Sequence, residues 1–161
     1  MSAEDTARAY FAALAQRDPE GMAALWKPGC IDRMHGLFEL RAPGEIRDWF
    51  SNLFAAFPEL EVEVLDVVSS GDQAAVRWRA RGAFTGTASF EGLQPNGAEL
   101  EMNGCDLLTV EGEQIVANEA YMNGADLARQ LGAMPPAGSI AERGMLGALN
   151  LKTRALAKLR R

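Results

Sequence analysis

The sequence predicts an α+β fold in which helices cover one side of a curved antiparallel sheet. Segments with helical periodicity stand first in the chain, and a long run of segments with period-two alternation follows them. The length of 161 residues suits one domain with a sizeable core. A bent sheet that is covered on its concave face leaves a pocket, so we expect an apolar small-molecule site there.

The composition is that of an ordinary globular protein, with 48% hydrophobic and 24% charged residues. Apolar runs are only a few residues long and the N-terminus is acidic, so we expect no transmembrane helix, no signal peptide and a cytoplasmic location. Cys30 and Cys105 form no CxxC pair and are predicted to be free thiols. His35 is the only histidine, which excludes a multi-histidine metal site.

The net charge of −6 is unevenly distributed along the chain. The tail from Ser139 onwards has six Lys/Arg and one Glu, which leaves the preceding residues with a net charge of −11. An acidic body of this kind argues against nucleic acid as a partner.

Three helices are predicted before the strands. Ser2 and Asp5 indicate the capped start of the first, which ends near Arg17. Asp18-Pro19 starts a short second helix that reaches Trp26. Its predicted end is Lys27-Pro28-Gly29, and residues 30–40 are predicted as irregular or as a short strand pair. The third helix runs from Pro43 to Pro58, with an apolar stripe of Ile46, Trp49, Phe50, Leu53, Phe54 and Phe57.

Strands are predicted over residues 61–68 and 74–84, followed by a hairpin over 99–122. In the second strand Arg77, Arg79 and Arg81 alternate with apolar residues, which predicts a solvated or subunit-contacting face.

Asp106 is a charged residue in the apolar row of the hairpin. The other members of that row are Leu100, Met102, Gly104, Leu108 and Val110. A carboxylate in such a row is costly unless it is paired or its pKa rises, which makes Asp106 a candidate acid/base group. The alternative is a structural Asp bonded to Asn118, to a backbone amide or to water. A two-residue turn predicts that Asp106 lies beside Ala117, and a three-residue turn predicts Asn118.

After the hairpin, Asn123 caps a short helix that ends at Gly132, and residues 134–138 form a linker. Ser139 with Glu142 then begins a final helix. We therefore divide the chain into a domain over 1–133 and a basic amphipathic tail over 134–161. The apolar stripe of this tail consists of Leu146, Leu149, Leu156 and Leu159. Five basic residues near its end lie off that stripe: Lys152, Arg154, Lys158, Arg160 and Arg161. We expect the tail to pack against the acidic body or a second subunit; a membrane surface and disorder are the alternatives.

Four short motifs carry a family resemblance. They are Ala56-Phe57-Pro58-Glu59-Leu60, the turn Gly92 to Gly97, Gly104-Cys105-Asp106 with Ile115-Val116, and Gln130-Leu131-Gly132. In this order and spacing, the chain from Ala7 to Gly132 resembles the SnoaL-like polyketide cyclases. These belong to the nuclear-transport-factor-2-like α+β cone superfamily, which also includes ketosteroid isomerases.

The resemblance implies a cone-shaped homodimeric protein with an apolar pocket and no cofactor. It implies that Asp106 is the acid/base group of an intramolecular aldol condensation, and that His35 is a pocket histidine that assists it. The alternative for His35 is a loop residue at the pocket rim or an exposed one. Asn118 and Tyr121 lie on opposite faces of one strand, so at most one of them lines the pocket with Asp106. The resemblance favours Asn118 as a substrate-binding residue that donates a hydrogen bond to the substrate or to Asp106, with Glu119 facing outward. The alternative for Asn118 is a polar contact between strands.

The predicted pocket wall is aromatic and thioether-rich. Its residues are Trp78, Phe84 and Met102 on the concave face, together with Trp26, Phe54 and Met122. The alternative for each is ordinary core packing.

The functional hypothesis is a cofactor-independent acid/base enzyme that cyclises or isomerises an apolar polyketide- or steroid-like carbonyl compound. Phe84 and Asn123 replace a histidine and an aspartate of the family pattern. These differences keep open a non-catalytic binding protein for a hydrophobic molecule, or a scaffold whose pocket is filled by its own side chains. An epoxide hydrolase is disfavoured because the sequence places no second pocket carboxylate and no paired arginine.

Overall fold

The computed structural model describes residues 2–159, without the side chain of Leu159. Arg160 and Arg161, which belong to the predicted basic tail, lie outside the described residues. The helices are α1 (Ala3–Ala15), α2 (Pro19–Ala24), α3 (Gly44–Ala56), α4 (Gly124–Gln130) and α5 (Ile140–Leu159). The strands are β1 (Trp26–Met34), β2 (Phe38–Arg41), β3 (Glu61–Ser70), β4 (Gln73–Ala83), β5 (Glu99–Glu111) and β6 (Gln114–Met122).

The six strands form one curved, open sheet in the order β2-β1-β6-β5-β4-β3. All neighbouring strands are antiparallel except β1 and β6, which pair in parallel. Helix α1 packs against β3, β4 and β5, and α3 packs against α2 and β2. The predicted α+β fold with helices on one side of a curved sheet is therefore confirmed.

The helix starts follow the predicted caps. Ser2 and Asp5 form a reciprocal capping box at α1, and Asp18 accepts the backbone N–H of Gly21 at α2. Past the end of α1, the Arg17 guanidinium donates to the carbonyl oxygens of Phe54 and Phe57 at 2.7 and 3.0 Å. These bonds satisfy carbonyls at the end of α3 and join the two helices.

The predicted end of the second helix is wrong. Trp26 is the first residue of β1 rather than a helical residue, and Lys27-Pro28-Gly29 lies inside that strand. The pairing of β1 with β6 is irregular between Trp26 and Ile31. Proline and glycine are tolerated in strands at such irregularities, and Gly29 has a φ of 86°. The proline and glycine therefore mark a bulge.

Both predicted registers of the β5–β6 hairpin are also wrong. The two turn residues are Gly112 and Glu113, with Glu111 opposite Gln114, which by itself would set Asp106 opposite Glu119; the register then shifts by one more residue between Thr109 and Val110. This shift places Asp106 opposite Ala120, whereas Asn118 lies opposite Leu108. A bulge changes the partner of every residue beyond it, and nothing in the local sequence announces this one.

The predicted faces of β4 and β5 are confirmed. Leu100, Met102, Asp106, Leu108 and Val110 of β5 are all buried on one face. On the outer face of the sheet, arginines of β4 pair across the strands: Arg79 lies 2.8 Å from Glu63 and Arg81 lies 3.1 Å from Glu101.

The predicted final helix is present, but beyond its first two turns its described side chains do not pack on the body. Every residue from Leu146 to Lys158 is exposed. An ion pair of 3.1 Å between Arg129 and Glu142 links its first turn to α4. Contact of α5 with a second subunit or a membrane surface stays a prediction. Within residues 2–159, no helix is long and apolar enough to cross a membrane.

Candidate active site

A cavity of about 260 Å³ lies between the helices and the buried face of the sheet. Its wall is largely apolar and includes residues of α1, α3 and all six strands. Two buried carboxylates, Asp32 and Asp106, also belong to the wall, as do the exposed residues Leu37 and Glu91. The cavity therefore connects the carboxylates with solvent.

Asp106 is 7% exposed and both of its oxygens accept hydrogen bonds. The indole Nε1 of Trp78 donates to Oδ1 at 2.8 Å, and the amide Nδ2 of Asn118 donates to Oδ2 at 2.8 Å. Burial raises the pKa of Asp106 to about 6, although these two bonds favour the charged form and lower it. Asp106 is therefore a carboxylate held by neutral donors in an apolar wall.

The place of the Trp78 indole depends on Gly104. These residues lie opposite each other on β4 and β5. A Cβ atom at position 104 would come within 2.2 Å of the indole ring. Gly104 thus makes room for the ring that donates to Asp106.

Asp32 is a site residue that the sequence analysis missed. It is 1% exposed, it lies opposite Asn118 in the parallel β1–β6 pairing, and Nδ2 of Asn118 donates to its Oδ1 at 3.0 Å. Burial, followed by the charge of Asp106, raises the pKa of Asp32 to about 7, while hydrogen bonding by Asn118 and Tyr10 lowers it. Asp32 shares a strand face with the buried Met34 two residues later. That spacing was a usable signal, but residues 30–40 were predicted only as irregular or as a short strand pair, with no inner or outer face assigned; β1 and β2 do form such a pair.

Asn118 joins the two carboxylates. Its single amide nitrogen donates one hydrogen bond to Asp32 and another to Asp106, which confirms the predicted face and the predicted contact with Asp106. Its own carbonyl oxygen is buried and accepts no hydrogen bond from any described residue. Tyr10 of α1 lines the same cavity, and burial together with the charges of the two aspartates raises the pKa of its phenol well above the usual value. Tyr10 is therefore a protonated hydroxyl beside the pair.

His35 is not brought to Asp106. Its side chain is 39% exposed and pairs with the Glu119 carboxylate. Its ring stacks on Tyr121 with centroids 4.4 Å apart and planes 7° apart. Glu119 and Tyr121 alternate with Asn118 and Ala120 along β6, so this cluster is on the outer face of the sheet. The His35 ring therefore does not lie beside Asp106, as the expected assistance in proton transfer requires.

These residues belong to a chain with a clear family match. A family model for SnoaL-like polyketide cyclases matches residues 4–131. The chain belongs to the SnoaL-like polyketide cyclase family. No curated protein matches this member of the family.

Solved structures share the fold of this SnoaL-like protein. A proposed SnoaL-like polyketide cyclase from Jannaschia sp. CCS1 is 22% identical over 83% of this chain and 93% of its own, with a TM-score of 0.72. IdmH from Streptomyces antibioticus, a proposed polyketide cyclase, is 26% identical over 82% of this chain and 99% of its own, with a TM-score of 0.64. An epoxide hydrolase of the LEH-like type from M. tuberculosis is 13% identical over 80% of this chain and 88% of its own, with a TM-score of 0.64.

Of the pocket residues expected in this SnoaL-like chain, three line the cavity and three do not. Trp78, Met102 and Met122 belong to the cavity wall. The other three pack elsewhere: Trp26 lies edge-on to Tyr10, Phe54 lies under the Arg17 guanidinium, and Phe84 stacks on Phe57. Side-chain parity fixed the face of each strand residue, but not how far along the strand the cavity extends.

Proposed function

We propose that this protein is a cofactor-independent acid/base enzyme that acts on an apolar polyketide- or steroid-like compound with a carbonyl group. One observation carries the proposal: Asp106 is a buried carboxylate on the wall of an apolar cavity, held by the neutral N–H groups of Trp78 and Asn118. Membership of the SnoaL-like polyketide cyclase family supports it.

The proposed chemistry begins when Asp106 takes a proton from the carbon next to the carbonyl. A carboxylate with a pKa of about 6 is still ionised at neutral pH, yet it is a stronger base than an exposed aspartate. The resulting enol or enolate carbon can then attack a second carbonyl of the same molecule, which closes a ring. Alternatively, a different carbon of the enol system is protonated, which isomerises the compound.

The apolar wall would hold the substrate by excluding water from its hydrocarbon surface. A volume of about 260 Å³ lies at the small end of ligand pockets, which favours a compact substrate.

Proton exchange in a simple ketone tests this proposal without the natural substrate. The probe is 2-tetralone in D₂O, with loss of the hydrogens beside its carbonyl followed by NMR. The protein should accelerate exchange over buffer, and Asp106→Asn should lower the protein-dependent rate at least 100-fold, since general base catalysis contributes about 10²–10⁴-fold. Glu101→Gln is the matched control, because Glu101 lies on the same strand but on the outer face.

Equal exchange rates for the wild type and Asp106→Asn would contradict the proposal. The alternative is a non-catalytic binding protein, which the largely apolar wall of the cavity favours. It predicts saturable binding of 2-tetralone, observed as a change in tryptophan fluorescence, with no acceleration of exchange.

A further inference from the structure

We propose that Asp32 is the general acid of this pocket, holding a proton that it delivers to the carbonyl oxygen of the substrate while Asp106 removes the proton from carbon. This inference rests on the proposed function and assigns the second half of the same reaction. It divides the two carboxyl groups into a base and an acid.

The hydrogen-bond donors around the two groups are unequal. Asp106 accepts an N–H on each oxygen, from Trp78 and from Asn118. Asp32 accepts an N–H only on Oδ1, from Asn118, and none of the described N–H groups donates to its Oδ2; its other polar neighbour is the Tyr10 hydroxyl, which can donate or accept. An ionised carboxylate is stabilised by donors on both oxygens, whereas a protonated one needs a free oxygen for its hydrogen. Asp32 is therefore the member of the pair that can carry a proton, on Oδ2, without displacing an N–H donor.

The charges around the pair support one shared proton. Among the described residues that line the cavity, the ionisable ones are Tyr10, Asp32, Glu91 and Asp106, so no cationic side chain of that wall neutralises the carboxylates. Two buried negative charges bridged by one amide repel each other, and a proton on one of them removes the repulsion. Burial raises the pKa of both groups, and the charge of Asp106 raises the pKa of Asp32 further, so the repulsion acts against ionisation of Asp32.

The distance between the two groups fits the substrate unit that they would act on. Oδ1 of Asp32 and Oδ2 of Asp106 lie 3.0 and 2.8 Å from the same nitrogen of Asn118. The two carboxyl groups are thus close enough to flank one O=C–C–H unit, with the acid at the oxygen and the base at the hydrogen. We infer that the substrate is an enolisable ketone or ester in an apolar molecule.

The step balances in protons and electrons. The C–H bond breaks and its proton goes to Asp106, while its electron pair forms the C=C bond of the enol. The π pair of the carbonyl takes the proton of Asp32 and forms the enol O–H. Asp106 is then protonated and Asp32 ionised, so the net charge of the pair is unchanged. On ring closure, Asp32 takes the enol proton back as the first carbonyl re-forms, and Asp106 gives its proton to the oxygen of the attacked carbonyl. On isomerisation, Asp106 gives its proton to another carbon of the enol system and Asp32 again takes the enol proton.

Exchange of 2-tetralone as a function of pH tests the division of roles. The wild type should give a bell-shaped rate profile, in which Asp106 sets the acid limb and Asp32 the alkaline limb. Asp32→Asn should lower the protein-dependent rate about tenfold or more and remove the alkaline limb. A variant that kept both the rate and the alkaline limb would overturn this inference, while the Asp106 proposal would survive. No exchange by the wild type would overturn both.

A titration of the wild-type carboxyl groups by ¹³C NMR gives a readout that does not depend on a variant folding. Asp32 should lose its proton after Asp106 as the pH rises. In Asp106→Asn, the midpoint of Asp32 should fall, because the like charge that raises it is gone. A wild-type titration in which Asp106 loses its proton last would overturn the assignment.

Discussion

The indole Nε1 of Trp78 lies 2.8 Å from Oδ1 of Asp106 and donates a hydrogen bond to it. The donor is neutral, so it orients the carboxylate without adding the positive charge that would make it a weak base. Trp78 also lines the cavity, so one side chain both shapes the apolar wall and aims the carboxylate.

Replacing Trp78 by phenylalanine should raise the pKa of Asp106, because the lost N–H bond lowers that pKa in the wild type. The unfolding free energy should fall by about 1–3 kcal/mol, the usual cost of leaving a buried acceptor unsatisfied. Carboxyl ¹³C NMR measures the first effect and urea unfolding the second. Trp49→Phe is the control, since Trp49 lines the same cavity but donates to Glu91. A lower Asp106 pKa in Trp78→Phe would contradict the prediction.

Gly104→Ala should destabilise the protein by about 1–3 kcal/mol, as expected for overpacking a filled site. Its Cβ would meet the Trp78 indole at 2.2 Å and push the ring away from Asp106. The pKa of Asp106 should therefore rise, as in Trp78→Phe. In the control, Gly144→Ala on exposed α5, no atom lies within 4 Å of the new Cβ, and helix propensity favours alanine by up to about 1 kcal/mol. Equal unfolding free energies for the two variants would refute this account.

Asp32→Asn should stabilise the protein at alkaline pH and have little effect on stability at pH 4. The folded-state pKa of Asp32 lies above the ordinary 3.8, so its contribution to stability is complete below pH 3.8 and is lost as the pH rises through about 7. Above pH 7 the buried charge costs up to roughly 4 kcal/mol, which the amide avoids. Urea unfolding at pH 4, 6 and 8 measures the trend.

An exposed turn carboxylate, changed in Asp72→Asn, provides the comparison for that pH series. Its stability difference from the wild type should not grow between pH 4 and pH 8 as that of Asp32→Asn does. If Asp32→Asn were less stable than the wild type at pH 8, the carboxylate would be ionised and favourably held in the folded state.

His35→Gln should leave both 2-tetralone exchange and the pKa of Asp106 unchanged, because His35 pairs with Glu119 on the outer face. The unfolding free energy should change by less than about 1 kcal/mol, as for other exposed ion pairs. A tenfold loss of exchange in this variant would return His35 to the reaction. The measurements are the 2-tetralone exchange rates and the urea unfolding curves of the wild type and His35→Gln.

The sequence predicted what period-two alternation can determine. It placed Asp106 on the buried face of its strand and Asn118, rather than Tyr121, on the same face. It failed where the structure depends on distant pairing. The hairpin register follows from a turn at Gly112-Glu113 together with a shift between Thr109 and Val110, and the shift has no local signature.

Asp32 was missed for the same physical reason. The proline and glycine at the start of β1 resemble a helix end, and the faces of the strand are set by its pairing with β2 and β6. His35 shows the converse limit: a histidine before a glycine can match a motif in sequence while its ring points to the opposite side of the sheet.

The parallel pairing of β1 with β6 has a consequence for how the protein acquires its site. Asp32 and Asn118 are 86 residues apart, so the amide reaches both carboxylates only after a long loop of the chain has closed. A nascent chain that lacks β6 holds neither the bridge nor the repulsion between the two charges. The two buried charges are thus brought together only where β6 pairs with both β1 and β5.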